Sequence, residues 1–296
     1  MTTSQLKYTA LIFMTIDHIG AFIPGTPIWL HYIGRLAAPI FFFVAVEGIM
    51  HTVNRKKYLL RLYISSVLMS AAEYVIETFC NIIVDNNIFA SILFGTAIVY
   101  ILEEFRDNRR KRNLLLLAFV CWQIVTIVLL GIFIYFDVFE STCITNLIAV
   151  ILGNYLVGGE GAMYLTLAIL LFYLLRDSKK RLALGYIAYC ILFSAMTVFK
   201  GATYCYEIAA RLFNRTAADI FVRFPLFEVL GLPISGNILG ASYFSLAFKS
   251  FYQWMMIFAL PIILLYNGER GRYPKWLFYA YYPLHIFALA LIGSVL

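Results

Sequence analysis

Apolar runs that reach or approach the ~18–20 residues needed to cross a bilayer recur along the whole of this 296-residue chain. They are continuous and do not alternate with polar residues. That pattern excludes a β-barrel and leaves helices as the spanning elements, because a helix satisfies its own backbone inside hydrocarbon. Hydrophobic residues make up 62% of the chain and charged ones 13%, a balance that no soluble fold of this size requires. The expected architecture is an all-α, polytopic integral membrane protein of about nine or ten transmembrane helices. With no long linker, internal repeat or low-complexity segment, residues 1–296 are expected to form a single transmembrane domain. The first apolar run has only Lys7 before it and continues through Asp17-His18 into a second run. It reads as a retained helix, not a cleaved signal.

Basic residues cluster in short loops between the runs: Arg55, Lys56, Lys57 and Arg61; Arg106, Arg109, Arg110, Lys111 and Arg112; Arg176, Lys179, Lys180 and Arg181; Arg270, Arg272 and Lys275. This is the positive-inside pattern, which puts these loops and the N-terminus in the cytoplasm. The net charge of +7 is therefore a topological signal and gives no reason to expect nucleic acid. The turn Pro24-Gly25-Thr26-Pro27 and the loop with Asp137 and Glu140 fall outside. One stretch does not fit a simple count. Residues 144–157 are apolar but short and end at Gly158-Gly159-Glu160-Gly161. A full crossing there would put Arg176 to Arg181 on the outer side, so the stretch reads as a re-entrant or interfacial piece, or half of a broken helix. Residues 200–237 mix Glu207, Arg211, Arg215, Asp219, Arg223 and Glu228 with apolar residues, as an outer amphipathic segment lying on the core would. The five cysteines carry no C-x-x-C spacing, so neither a metal site nor a disulfide framework is signalled. Cys80, Cys143 and Cys205 fall toward one face, where one pair could form.

An ionisable group in an apolar span costs about 2.5–3.5 kcal/mol on insertion scales, so each is a functional suspect. The first two spans hold Asp17, His18, Arg35 and Glu47. At 1.5 Å per residue, His18 lies about 16 Å into the first span and His285 about 14 Å into the last. Both depths are near the middle of a hydrocarbon core ~30 Å thick, which points to a shared central cavity. Asp17 and His18 project about 100° apart, so Asp17 is expected to orient another group. A histidine near a carboxylate suits general-base work. Arg35, about 10 Å from the outer end of its span, needs a carboxylate, phosphate or carbonyl, and Asp17 is the natural protein partner. Pairing alone and a substrate role both remain open for it. Glu47 and His51 share a helix face near the inner end, as a paired terminus or a site would, and Glu73 and Glu77 repeat that spacing near the outer end. Arg55, Lys57 and Arg61 serve topology, or also grip the phosphates of a nucleotide-bearing donor. No Gly-rich nucleotide loop or nucleophile elbow occurs.

The run "IDHIG…IGRLAAPIFFFVAVEGIMHTVNRKKYLLRL" resembles the N-terminal signature of the TraX family, through Asp17-His18, Gly34-Arg35, Pro39, Glu47-Gly48 and Asn54 to Tyr58. Further pieces are similar to it at Asn87-Ile88-Phe89, around "LLFYLLRD", and at the closing "WLFYAYYPLHIFALALI" with His285. The segments 136–156 and 200–237 have no counterpart in that pattern. The family's namesake activity is acetylation of the N-terminus of conjugative pilin, within a broader group of membrane acyltransferases. The resemblance implies acetyl-CoA as co-substrate with no metal, an acceptor protein or glycan at the opposite face, and the bacterial cytoplasmic membrane as location. It also implies an intramembrane histidine as catalyst. On that basis His18 is the expected base, oriented by Asp17 or Arg35, with His285 relaying the proton or stabilising the oxyanion. Arg55, Lys57 and Arg61, with Glu47 and His51, would form the inner donor site. His31 and His51 are expected to matter less. A transporter or flippase for a small anion, and a non-catalytic assembly protein, are the competing readings.

Overall fold

The computed structural model describes residues 1–80, 82, 84, 87–136, 138, 142–155, 163–234, 236–272 and 274–296. Helix accounts for 81% of the chain, with no strand among the described residues, as the continuous apolar runs require. Asp137, Glu140, Gly158 to Gly161 and the side chains of Cys80 and Glu228 lie outside the described residues.

Helix α1 (Thr3–Phe22) starts from a capping box. Its Thr2 hydroxyl accepts from the Gln5 N–H at 3.3 Å, and the Gln5 side chain accepts from the Thr2 N–H at 2.8 Å. Pro24 ends it. Helices α2 (Trp29–Gly34) and α3 (Ala37–Met50) are the two parts of one 22-residue apolar span, interrupted at Arg35 and Leu36. Next come α4 (Arg55–Cys80), α5 (Ile88–Glu104), α6 (Arg109–Tyr135), α7 (Thr142–Ile151), α8 (Met163–Leu175), α9 (Lys179–Met196) and α10 (Gly201–Leu212). Short pieces follow: α11 (Arg215–Ala218), a π-helical stretch Asp219–Val229, α12 (Gly236–Gly240), α13 (Tyr243–Ser245), a 3₁₀ stretch Tyr252–Phe258 and α14 (Ala259–Leu264). Helix α15 (Lys275–Val295) closes the chain.

Helices α4, α6 and α9 begin alike. Asn54, Asn108 and Ser178 each accept a backbone N–H from the helix they cap, and basic residues follow at once. Positive charge in a first turn opposes the helix dipole, so these runs owe nothing to helix stability.

The membrane reading is clearest in α6. It buries Gln123, Thr126 and Leu130, while Leu117, Val120, Ile124, Val125 and Val128 are exposed. Polar inside and apolar outside is the reverse of a soluble helix and is what lipid solvation demands. Four described helical spans are long and apolar enough to cross, or six if each of two bent pairs is one span. The sequence count of nine or ten included shorter and more polar segments. This is a multi-pass membrane protein.

Contacts divide the chain into two compact units: residues 1–44 with 162–272, and 45–161 with 273–296. Each is discontinuous in sequence. In the first, α1 packs on α2, and α8 on α9. One end of it is tied together by the loop after α14. The Met1 amine donates to the Leu265 carbonyl, the Thr3 and Ser4 N–H groups donate to Glu269 and Arg270 at 2.8 and 3.1 Å, and Lys179 Nζ donates to Leu264 and Tyr266 at 2.9 and 3.2 Å. Gly271 sits against Ser4 with φ +68°, where a side chain would be both strained and obstructed.

Residues 200–237 lie on the core only in part. Ala202, Thr203 and Ala218 are buried, but Leu212, Phe213 and Phe221 are exposed, an apolar face of the kind lipid covers. Lys200, at the 54° bend between α9 and α10, has φ +63°. Its ammonium is buried on the carbonyls of Leu239 and Ala241 at 2.8 and 2.7 Å, over the Tyr243 ring. Cys143 and Cys205 carry reduced thiols, so the pair allowed by the sequence does not form between them.

In the second unit, α4 packs on α5, α7 and α15. Helix α7 spans about 15 Å, half of a bilayer core. It unwinds against the middle of α6, not at its end. Trp122 donates to the Leu152 carbonyl at 2.7 Å, Gln123 to Gly153 at 2.8 Å, and Asn154 to the Gln123 carbonyl and Thr126 hydroxyl at 3.0 and 2.8 Å. Tyr63 on α4 donates to Ile151 at 2.9 Å. A half-length helix whose unwound end is clasped by side chains of its neighbours suits each of the re-entrant, interfacial and broken-helix forms expected of this stretch. Side chains replace the water that non-helical backbone lacks there. Asn154→Leu should therefore lower stability by about 1–3 kcal/mol through the groups left unpaired. Thermal unfolding in detergent checks this, with Ile151→Leu as a control of little effect.

Candidate functional site

The main polar node of the first unit is built by the hairpin of α1 and α2. The Pro24–Pro27 turn reverses the chain so that Asp17, in the last turns of α1, faces both ends of α2. One carboxylate oxygen of Asp17 accepts from Nδ1 of His31 at 2.8 Å; the other is ion-paired with a terminal nitrogen of Arg35. A carboxylate can only accept, so Nδ1 carries the hydrogen, and in the neutral ring Nε2 holds the lone pair. Arg35 sits at the break between α2 and α3, where the chain leaves the helix. It also donates to Gln253 Oε1 at 3.1 Å and to the His31 carbonyl at 3.4 Å. Tyr252 stacks on the His31 ring at 5.7 Å and lies 5.6 Å from the guanidinium carbon. Side-chain exposures of 14% for Asp17, 21% for His31 and 27% for Arg35 mean that the node is mostly desolvated but open along one side.

Two glycines make this approach possible. A Cβ on Gly34 would collide with the Asp17 carboxylate, and one on Gly20 would meet Cε1 and Nε2 of His31 at 3.2 and 3.3 Å. Gly34 thus admits Asp17 to the hairpin, and Gly20 leaves room for the imidazole edge that carries the lone pair.

His18 projects to the other face of α1. It is buried, with its ring edge to Phe22 at 6.0 Å. Asp17 and Arg35 meet as the sequence suggested, but the histidine on Asp17 is His31. His285 belongs to the second unit. It is buried in α15, donates from Nδ1 to the Tyr281 carbonyl at 2.8 Å and stacks on the Tyr281 ring.

The basic rail also lies in the second unit. Arg55 pairs with Glu104 at 3.3 Å, while Lys56, Lys57 and Arg61 are exposed. Glu47, largely buried, faces His51 at 3.5 Å, so these two read as a paired helix end. Glu73 is buried in α4 and Glu77 is half-buried. Among the described residues no group of three or more His, Cys, Asp or Glu converges as a metal site would require.

A family model described as TraX protein matches residues 2–293. The chain belongs to the TraX family. A 68-residue stretch of this TraX protein is also 38% identical to the probable fimbrial assembly protein FimC, serogroup H1, of Dichelobacter nodosus. That stretch covers 22% of the chain and 28% of the relative, well short of its whole length. No solved structure matches the chain.

In this TraX chain the sequence reading gave His31 a lesser role and did not single out Tyr252 or Gln253. His31 had a partial signal: a four-residue turn at residues 24–27 returns position 34 to the level of position 17 and position 31 to that of position 20, about one turn from Asp17. Tyr252 and Gln253 had none, because their approach depends on an irregular segment more than 200 residues away. Gly34→Ala should separate Asp17 from α2 and cost about 1–3 kcal/mol by overpacking. Thermal unfolding checks it, and Gly131→Ala, at a position with no neighbour within 4 Å of the added carbon, should be tolerated.

Proposed function

We propose that this membrane protein transfers an acetyl group from cytoplasmic acetyl-CoA to an amine or hydroxyl acceptor, in support of pilus assembly. The observation that carries the reading is the Asp17–His31 bond beside Arg35, in a chain that matches the TraX model almost end to end. A base fixed by a carboxylate is the arrangement acyl transfer uses. The likeness to a probable fimbrial assembly protein supports an acceptor connected with pili.

In this mechanism Nε2 of His31 takes the proton of the acceptor as its nitrogen or oxygen attacks the thioester carbonyl. The new bond to carbon forms, the C–S bond breaks, and the proton passes to the departing CoA thiolate. Asp17 holds the imidazole tautomer and stabilises the imidazolium. The geometry favours His31 over His18 as base, since Asp17 orients His31. Arg55, Lys57 and Arg61 are proposed to hold the CoA phosphates. A transporter is the second reading, favoured by the span broken at Arg35 and the half-length α7.

Purified protein incubated with acetyl-CoA and a panel of amines and sugars should release CoA thiol. His31→Ala should lower turnover by about 10²–10⁴-fold, His18→Ala by less, and Arg55→Gln with Lys57→Gln should raise KM for acetyl-CoA more than it lowers kcat. Solute flux into vesicles without thiol release would favour the transporter.

A further inference from the structure

Asp17 holds His31 by a single hydrogen bond, and one bond does not fix an imidazole. It sets where Nδ1 lies, yet the ring can still turn about the Nδ1···O line, and the direction of Nε2 turns with it. The plane of the ring is set by a different contact. The Tyr252 ring lies against the imidazole with centroids 5.7 Å apart and planes 19° apart, an offset stack. The same ring centre lies 5.6 Å from the Arg35 guanidinium carbon, within cation–π reach. The next residue, Gln253, accepts from Arg35 at 3.1 Å. Two consecutive residues therefore meet both partners of Asp17.

Tyr252 is itself held in place. The chain bends by 71° between Tyr243–Ser250 and Tyr252–Leu264, and the 3₁₀ stretch after the bend packs on α2. Before the bend, the Phe248 carbonyl accepts from the Tyr32 hydroxyl, and the Ala247 carbonyl accepts from Trp254 Nε1 at 2.9 Å. After it, the Met256 carbonyl accepts from the Tyr186 hydroxyl at 2.8 Å. The Tyr32 ring also meets Tyr252, centroids 5.7 Å apart and planes 55° apart. Tyr32 follows His31 in α2, so the helix that carries the base also anchors the segment that carries its stacking partner. All of these residues belong to the first unit. None of these ties uses the Tyr252 hydroxyl; what the segment delivers to the node is a ring face.

We propose that Tyr252 is a positioning residue of the acyl transfer, an inference that rests on the acetyl-CoA reading above. Its face holds the plane of His31 so that Nε2 meets the acceptor's N–H or O–H. The acceptor atom bonds to the thioester carbon, the C–S bond breaks, and the proton moves from acceptor to Nε2 and on to the thiolate sulfur. While it sits on Nε2 the imidazole is a cation, and a π face attracts a cation more than a neutral ring. The contact with Tyr252 thus tightens as charge develops and relaxes when the proton leaves. Asp17 gives the base its direction and Tyr252 its plane. A misplacement of about 1 Å can cost about 10²-fold in rate, so the second constraint matters beside the first.

Tyr252→Leu and Tyr252→Met keep apolar bulk and lose the ring face, whereas Tyr252→Phe keeps the face and loses the hydroxyl. In CoA-thiol release the first two should lower kcat about 10-fold or more, with KM for acetyl-CoA changed by less than about two-fold and the melting temperature unchanged. Tyr252→Phe, the conservative variant, should recover kcat to within about three-fold of wild type. A role in filling space alone predicts instead that any loss of kcat tracks a fall in melting temperature, and that outcome overturns the proposal. Undiminished turnover by Tyr252→Leu and Tyr252→Met beside an active wild type overturns it too, as does a Tyr252→Phe protein as impaired as Tyr252→Leu. Each of these leaves the acyl-transfer reading standing. Absence of thiol release from wild-type protein overturns both.

Discussion

Asp17 sits in an apolar helix where an unpaired carboxylate would be prohibitively solvated, and what surrounds it follows from supplying its partners. The Pro24–Pro27 turn folds α2 back along α1. The span Trp29–Met50 breaks at Arg35 and Leu36, which frees the guanidinium from the regular helical surface. Gly34 has no side chain because Asp17 occupies that space. The irregular segment from residue 243 to 258 brings Gln253 and Tyr252 against the remaining faces of Arg35 and His31. Two departures from ideal helix in the first unit, at Arg35 and at residues 243–258, thus gather around one ion pair.

The same constraint shapes the second unit without any charge. Where α7 unwinds at mid-depth, Gln123, Asn154, Trp122, Thr126 and Tyr63 satisfy the exposed backbone one group at a time. Their bonds leave that end closed and fixed. The Asp17 node differs in being partly exposed. Polar groups that hold backbone are saturated. The chemistry is proposed at the node because a carboxylate fixes a histidine there.

Much of the fold was legible because hydrophobicity and loop charge report directly on a bilayer. The all-helical class and the short helix that opens residues 144–157 came from segment length. The count of spans was less legible, since breaks at Arg35, Lys200 and Phe251 depend on tertiary contacts and hardly show in composition. At the site, Asp17 with Arg35 was foreseeable because a buried carboxylate and a buried guanidinium find each other. His18 drew attention by adjacency, but neighbours in a helix point apart, and the turn delivers His31 instead. Nothing in the local sequence marks Tyr252 or Gln253. Their roles come from the packing of segments far apart in the chain.

The central claim is that Asp17 and Arg35 act as one coupled unit, and a double-mutant cycle measures that directly. Unfolding free energies of the wild type, Asp17→Asn, Arg35→Gln and the double variant give the interaction energy. Each single change strands a charge in an apolar setting, at a cost of about 3–5 kcal/mol for a well-buried pair. The double variant should therefore be less damaged than the sum of the two by more than about 1 kcal/mol. Additivity to within about 0.5 kcal/mol would mean that the two residues do not depend on each other, and would contradict the account.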